Sequence, residues 1–198
     1  MNALSDWTLT NLPLYGPLLL LGVAYAGSLG IPFPITMVIL AAGAWSGLLA
    51  ERVPMTPVKG EMLMLAAPSG AAVPEPVVWG HGVYLVPRGA HLLVGATMEE
   101  AGFDTKVTPE ARDKLRAGAE ALIPSLRDWA LVDQWAGLRP RSPDGLPLLG
   151  ALEEGLLVAA GQYRNGILFA PAIADHMRDL VLGRAEVIPA FDPRRFAK

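Results

Sequence analysis

The residues best suited to chemistry lie in one stretch, Trp135 to His176, which reads WAGLRPRSPDGLPLLGALEEGLLVAAGQYRNGILFAPAIADH. An apolar strand ends in Gly137-Leu138-Arg139-Pro140 and is followed by a polar turn, Ser142-Pro143-Asp144-Gly145. A second apolar strand, Leu156 to Ala160, runs into Gly161-Gln162-Tyr163-Arg164-Asn165-Gly166 and then a helical pattern. A strand, a glycine-flanked turn and a helix N-terminus together place free backbone N–H groups and a partial positive charge at one spot. Arg139 and Arg164 stand at or beside the strand ends, so the arrangement suits an anion.

No other constellation competes with it. His81, His91 and His176 lack metal-ligand spacing, and no serine–histidine pattern supports hydrolysis. Asp104, Glu110, Asp113 and Glu120 read as a solvated helical face and its approach. The absence of cysteine excludes disulfides, thiolate metal sites and cysteine nucleophiles. A net charge of −3 gives no electrostatic footprint for nucleic acid. No metal ligand and no side chain acting as acid, base or nucleophile is assigned.

The elements that must position the arginines are legible after Glu51. Val58 to Leu65 reads as a strand, as do Val77 to Trp79, Val83 to Val86 and His91 to Ala96, the last two forming an antiparallel hairpin across Arg88-Gly89-Ala90. Thr108 is an N-cap with Pro109 at the first helical position. That helix runs to Leu122, burying Leu115, Ala119 and Leu122 and leaving Glu110, Asp113, Lys114 and Arg116 in solvent. Trp129 to Leu138 adds a strand, and a last helix runs from Asn165 to Leu182, stopped by Gly183. Strands in series with helices between them imply an α+β fold with an antiparallel or mixed sheet and a C-terminal helix.

These segments also carry a resemblance. WAGLRPRSPDGLPLLG with LLVAAGQYRNGILFAPA, preceded by Pro57-Val58-Lys59-Gly60-Glu61, Val83-Tyr84-Leu85-Val86-Pro87-Arg88 and Leu93-Val94-Gly95-Ala96-Thr97-Met98-Glu99, resembles the FAD-dependent D-amino-acid oxidase superfamily. Within it, the glycine oxidases of thiamine biosynthesis are the point of likeness, over about Val38 to Ala190. The resemblance implies FAD as cofactor, a small amino acid such as glycine as substrate, and oxidative deamination as the reaction. It implies that Arg139 pairs with the substrate carboxylate through a guanidinium fork and that Tyr84 faces the substrate, with Arg164 as a further contact. It places Gly43 and Gly161, Gln162, Tyr163, Arg164, Asn165, Gly166, Ile167 and Leu168 against the flavin. Read from residues alone, Arg139 is better explained as a surface arginine capping the turn at Asp144. Tyr84 is then a half-buried strand tyrosine and Arg164 a solvated turn residue.

The first 50 residues differ. Between Asp6 and Glu51 there is no charged residue, and the run Leu12 to Ala50 exceeds the roughly 20 apolar residues that a spanning helix needs. Pro32 and Pro34 divide it, leaving Leu18 to Leu29 and Ile35 to Leu49 as two short helices. The oxidase resemblance implies instead an apolar strand from Val38 that leads into Ala42-Gly43-Ala44-Trp45-Ser46. Residues 13–44, with Gly30-Ile31-Pro32-Phe33-Pro34, resemble the N-terminus of DedA-type membrane proteins. On this reading residues 1–50 are a hydrophobic helical segment in contact with the membrane. Residues 51–198 are then a cytoplasmic oxidase-like domain, the alternative being a soluble cytoplasmic chain. The sequence contains no Gly-x-Gly-x-x-Gly unit for the FAD pyrophosphate, and Gly80-His81-Gly82 has no helix after it. The expectation is a truncated or fused oxidase of impaired activity, with a membrane-anchored non-catalytic module as the alternative.

Overall fold

The computed structural model describes residues 38–40 and 43–196. In chain order its elements are β1 (Val38–Leu40), a 3-10 turn (Gly43–Trp45), α1 (Ser46–Leu49), β2 (Thr56–Ala66), β3 (Val78–Gly80), β4 (Val83–Arg88), β5 (His91–Gly95), α2 (Pro109–Leu122), a 3-10 turn (Pro124–Asp128), β6 (Ala130–Arg141), β7 (Leu148–Glu153), β8 (Leu156–Ala160), α3 (Gly166–Val181) and two short 3-10 turns (Pro189–Phe191, Pro193–Phe196). The described residues form two compact units. One comprises those up to Thr56 together with those from Pro140 onward, and the other is Pro57–Arg139.

The Pro57–Arg139 unit is built on a five-stranded sheet of order β3-β4-β5-β2-β6. Strands β3, β4, β5 and β2 pair antiparallel in sequence along that order. Both hairpins turn on residues with positive φ. His81 (φ 47°) and Gly82 (φ 75°) form the two-residue loop between Gly80 and Val83, and Gly89 (φ 61°) opens the loop between Arg88 and His91. Gly80-His81-Gly82 is therefore a hairpin turn.

Alternation puts Leu63 and Leu65 of β2, Val83 and Leu85 of β4, and Leu92 and Val94 of β5 on one face. There they pack against Leu115 and Ala119 of α2 and against Leu126 and Trp129. Thr108 caps α2 as expected, its hydroxyl accepting from the Ala111 amide. Leu122 is only half-buried, and Gly118 takes a place on the buried stripe, where a Cβ would meet Val83 at 2.8 Å. Arg116 is not the solvated residue expected. Its guanidinium donates to the carbonyls of Leu126, Arg127 and Trp129 and so holds the turn after α2.

The other unit carries a three-stranded sheet, β1-β8-β7, with β1 parallel and β7 antiparallel to β8. Leu156, Val158 and Ala160 of β8 face a cluster with Val53, Leu148 and Leu152. Leu157 and Ala159 face Met177, Ile173 and Leu180 of α3. Burial on both faces explains why β8 reads as a continuous apolar run. Strand β7 was not legible in the sequence, since Pro147 and Gly150 interrupt its pattern. The helical reading of Ile35 to Leu49 is corrected where the structure describes it: Val38–Leu40 is a strand, and only Ser46–Leu49 is α-helical. The strand is the reading that the oxidase resemblance implies for Val38 onward, and parallel pairing with β8 gives it a partner. Residues 12–37 of the apolar run, including the DedA-like motif, lie outside the described residues. Among the described residues no helix is long and apolar enough to cross a membrane.

Asp144 closes the turn before β7, and its partner is Arg195, which makes two bonds of 2.8 and 3.0 Å to its carboxylate. These bonds, with the Leu146 amide and Ser142 hydroxyl, outweigh burial and hold the Asp144 carboxyl at about 2. A depressed carboxyl pKa stabilises the folded chain fully above the ordinary value of 3.8, and that contribution is lost as pH falls through about 2. Asp144→Asn is expected to cost about 1 kcal/mol at pH 7, allowing for screening at this partly exposed site. Urea unfolding at descending pH should show the variant and the wild type converging towards pH 2.

Candidate functional site

In the Pro57–Arg139 unit, the face of the sheet opposite the apolar core brings two of the expected residues together. Gly60, Met62 and Met64 alternate along β2 on that open face. The Arg139 side chain, from β6, lies across Gly60. A Cβ there would come within 2.1 to 2.4 Å of the guanidinium atoms, so only glycine leaves the space. One guanidinium nitrogen, Nη1, donates to the carbonyls of Thr97 at 3.1 Å and Lys59 at 3.4 Å. Among the described residues no carboxylate pairs with Arg139, and the expected cap at Asp144 is Arg195 instead.

Tyr84 lies on the same face. Its ring covers Gly95, where a Cβ would meet it at 2.5 Å, and its hydroxyl contacts Met62 Sδ at 3.8 Å. Met62 pairs with Gly95 and follows Gly60 by two residues, about 7 Å along β2. Trp79 of β3 packs edge-on to Tyr84, with ring centroids 6.0 Å apart. The open face therefore carries a cation, a thioether, a phenol and an exposed indole in succession. An anion bound at Arg139 would meet a hydroxyl and apolar walls on one side.

Directly beneath, on the core face of β2, sits a charged pair that sequence reading missed. Lys59 and Glu61 have side chains 2% and 0% exposed and lie 2.8 Å apart. The Lys59 ammonium also donates to the Lys106 carbonyl and lies 3.6 Å from Glu99. The Glu61 carboxylate accepts from the Thr108 amide and hydroxyl and from the Gln134 side chain. Burial alone would push the Glu61 carboxyl up; the bonds from Lys59, Thr108 and Gln134 together hold it below the ordinary value. The hydrogen bond to Glu61 holds the Lys59 ammonium above its ordinary value, against the effect of burial. The available signal was spacing: two opposite charges at i and i+2 in an apolar strand must share one face.

The residues expected against the flavin belong to the other unit. Strands β1 and β8 are parallel neighbours, so the segments that follow them, with Gly43 and Gly161, leave the same edge of the sheet. That edge, at the carboxyl ends of parallel strands, is where α/β sheets receive ligands. Gly161 has φ 77°, and a Cβ on it would press on Leu148, Met55 and Ser142 at 3.1 to 3.4 Å. Tyr163, at φ 51°, continues the turn and donates its amide to the Pro140 carbonyl. Asn165 precedes α3 and makes no side-chain cap, so nothing from that side chain covers the first-turn N–H groups. Ile167 and Leu168 are 95% and 73% exposed at that terminus, and Gln162 is half-buried. Arg164 is exposed at the turn.

An uncapped helix N-terminus beside exposed apolar side chains fits a flat heteroaromatic ring with anionic character at one edge. These residues therefore fit the flavin that the resemblance implies. Among the described residues no cluster of histidine and carboxylate side chains could hold a metal.

Comparison with known proteins gives a consistent result. Residues 22–180 match the model of a family described as FAD dependent oxidoreductase. The match thus enters the stretch read as DedA-like and gives that reading no support. Glycine oxidase of Pseudomonas aeruginosa is 42% identical over 167 residues, covering 81% of this chain and 44% of that protein. The bifunctional protein ThiO/ThiG of Synechocystis is 42% identical over 165 residues, 80% of this chain and 25% of its own length. The crystal structure of glycine oxidase from Geobacillus kaustophilus superposes with a TM-score of 0.70 at 38% identity, covering 81% of this chain and 44% of the other. The chain thus spans less than half the length of these relatives.

Proposed function

The chain belongs to the FAD-dependent oxidoreductase family, and from that premise we propose that it binds a small amino acid, glycine-like in size, for oxidation at the α-carbon. The observation that carries this reading is the Arg139 guanidinium, laid over Gly60 on an open sheet face, free of any carboxylate partner among the described residues and neighboured by Tyr84. A planar fork of permanent charge takes a carboxylate bidentately. The Tyr84 hydroxyl, which contacts Met62 two residues beyond Gly60 on the same face, is the polar neighbour that a ligand held at Arg139 would meet. FAD is the cofactor of the family, and when bound it supplies the two-electron acceptor for the substrate's Cα–H bond.

What the chain's own residues contribute is orientation and charge. Arg139 and Tyr84 would fix the carboxylate end, Met62 would lie beside it, and the N-terminus of α3 would stabilise negative charge on a ring held there. Gly43 and Gly161 to Leu168 would hold that ring. For glycine, the balanced reaction with water and dioxygen yields glyoxylate, ammonia and hydrogen peroxide.

The test is the absorbance spectrum of the purified chain after incubation with FAD and desalting, followed by a peroxide assay with glycine. Retained flavin with a peroxide signal that Arg139→Ala abolishes is the expected result. A chain that sheds all flavin and takes up no carboxylate overturns the reading. A chain that sheds flavin yet binds acetate through Arg139 supports instead the non-catalytic module.

A further inference from the structure

The inference concerns how Arg139 is held, and it rests on the reading of Arg139 as the carboxylate ligand. We propose that the buried Lys59–Glu61 pair, together with Thr97, is the positioning device for the Arg139 guanidinium.

The geometry runs through the backbone of β2. Lys59 and Glu61 point to the core, and Gly60 between them forms the floor on which the guanidinium lies. The two oxygens that hold Nη1 are main-chain carbonyls, those of Lys59 and Thr97, so their position depends on how rigidly these segments are tied. The ties are all present. Lys59 and Glu99 exchange backbone bonds of 2.9 and 3.0 Å, and the Thr97 amide donates to the Glu61 carbonyl. The Thr97 hydroxyl accepts from the Glu61 amide at 2.8 Å. The Lys59 ammonium reaches both Glu61 and Glu99 and so braces one segment against the other. Glu61 reaches Gln134, five residues before Arg139 on β6, and thereby ties the floor to the strand that carries the arginine.

Such a pair is an expensive way to fill an apolar strand, because desolvation can cancel the attraction between its charges. A well-packed aliphatic pair would stabilise the sheet as well. What an aliphatic pair cannot do is brace the Lys59 segment against Glu99 and tie β2 to Gln134 on the strand that carries Arg139, the role that supporting shells play around binding groups.

The experiment uses the full chain labelled with 15N-arginine, in Glu61→Gln, Thr97→Val and Arg139→Lys variants. The Arg139→Lys spectrum identifies the Arg139 Nε–H signal by its loss. In the wild type that signal is expected to be dispersed and slow to exchange. In Thr97→Val, and in Glu61→Gln if it folds, the signal should move to the position of free arginine. The Kd for acetate should rise about tenfold, the worth of one hydrogen bond to a charged group. Thr97→Val removes a single hydroxyl and keeps the side chain's shape, so a foldable variant is available. Folded variants that keep both the wild-type signal and the wild-type Kd overturn the positioning role. A wild type whose acetate binding is untouched by Arg139→Ala overturns the carboxylate reading itself, and the positioning role with it.

Discussion

Replacing Lys59 by methionine is expected to lower the unfolding free energy by about 3–5 kcal/mol, the cost of leaving a buried charge without its counterpart. The stranded group is Glu61, fully buried and stripped of the one cation it faces. Thr108 and Gln134 would still donate to it, so the loss should fall towards the lower end of that range. A measurement near pH 7 sees the whole effect. Glu61, with its carboxyl held low, contributes fully above its ordinary value of 4.5, and that contribution is lost only as pH falls through the depressed value. Lys59, held high, contributes fully below 10.5, and its contribution is lost as pH rises through the raised value. The double variant Lys59→Met with Glu61→Gln should lose less than the sum of the single losses by about 2 kcal/mol. Denaturant titration followed by tryptophan fluorescence reads this directly, since Trp129 is buried in the same unit. Additive losses, or a single loss under about 1 kcal/mol, would mean that the pair is not coupled as the geometry says.

That pair marks the limit of what the sequence discloses. The elements with strong local signals are found where expected: Thr108-Pro109 opens α2, and the hairpin across Arg88-Gly89-Ala90 turns at Gly89. Arg139 and Tyr84 are candidates through the family resemblance and not through any local pattern. Their neighbours were not legible, because Gly60 and Gly95 matter only for what lies above them in space. No periodicity announces that a glycine is a floor. Arg116 and Asp144 show the same limit from the other side. Each reads as a local surface charge, and each finds its partner on another element, Asp144 with Arg195 across 51 positions. Strand β1 is the sharpest instance. Its three residues suit helix or strand by apolarity alone, and the parallel edge of β8 decides for the strand that the oxidase resemblance implies.

Gly60→Ala is expected to disable the carboxylate site while leaving the fold in place. The added methyl would sit 2.1 Å from one guanidinium nitrogen and 2.4 Å from its carbon, so Arg139 must leave its place over β2. The flexible arginine can move at small cost, whereas the strand cannot, because Lys59 and Glu61 pin it from the other face. Backbone strain is not at issue: Gly60 does not have a positive φ, so alanine suits the strand conformation. Loss of two charge-assisted hydrogen bonds to a carboxylate amounts to about 3 kcal/mol, or roughly a hundredfold in Kd. Acetate titration by NMR, with thermal unfolding as the companion measurement, separates this from general damage. The melting temperature should stay within a few degrees of wild type, since the atoms nearest the added methyl all belong to the Arg139 side chain. Gly95→Ala makes the complementary case, because its methyl would strike the Tyr84 ring at 2.5 Å. It should weaken acetate less, as a neutral hydroxyl is worth less to a carboxylate than a guanidinium. If Gly60→Ala binds acetate as tightly as wild type, the anion does not sit at Arg139, and the open face of this sheet is not the site.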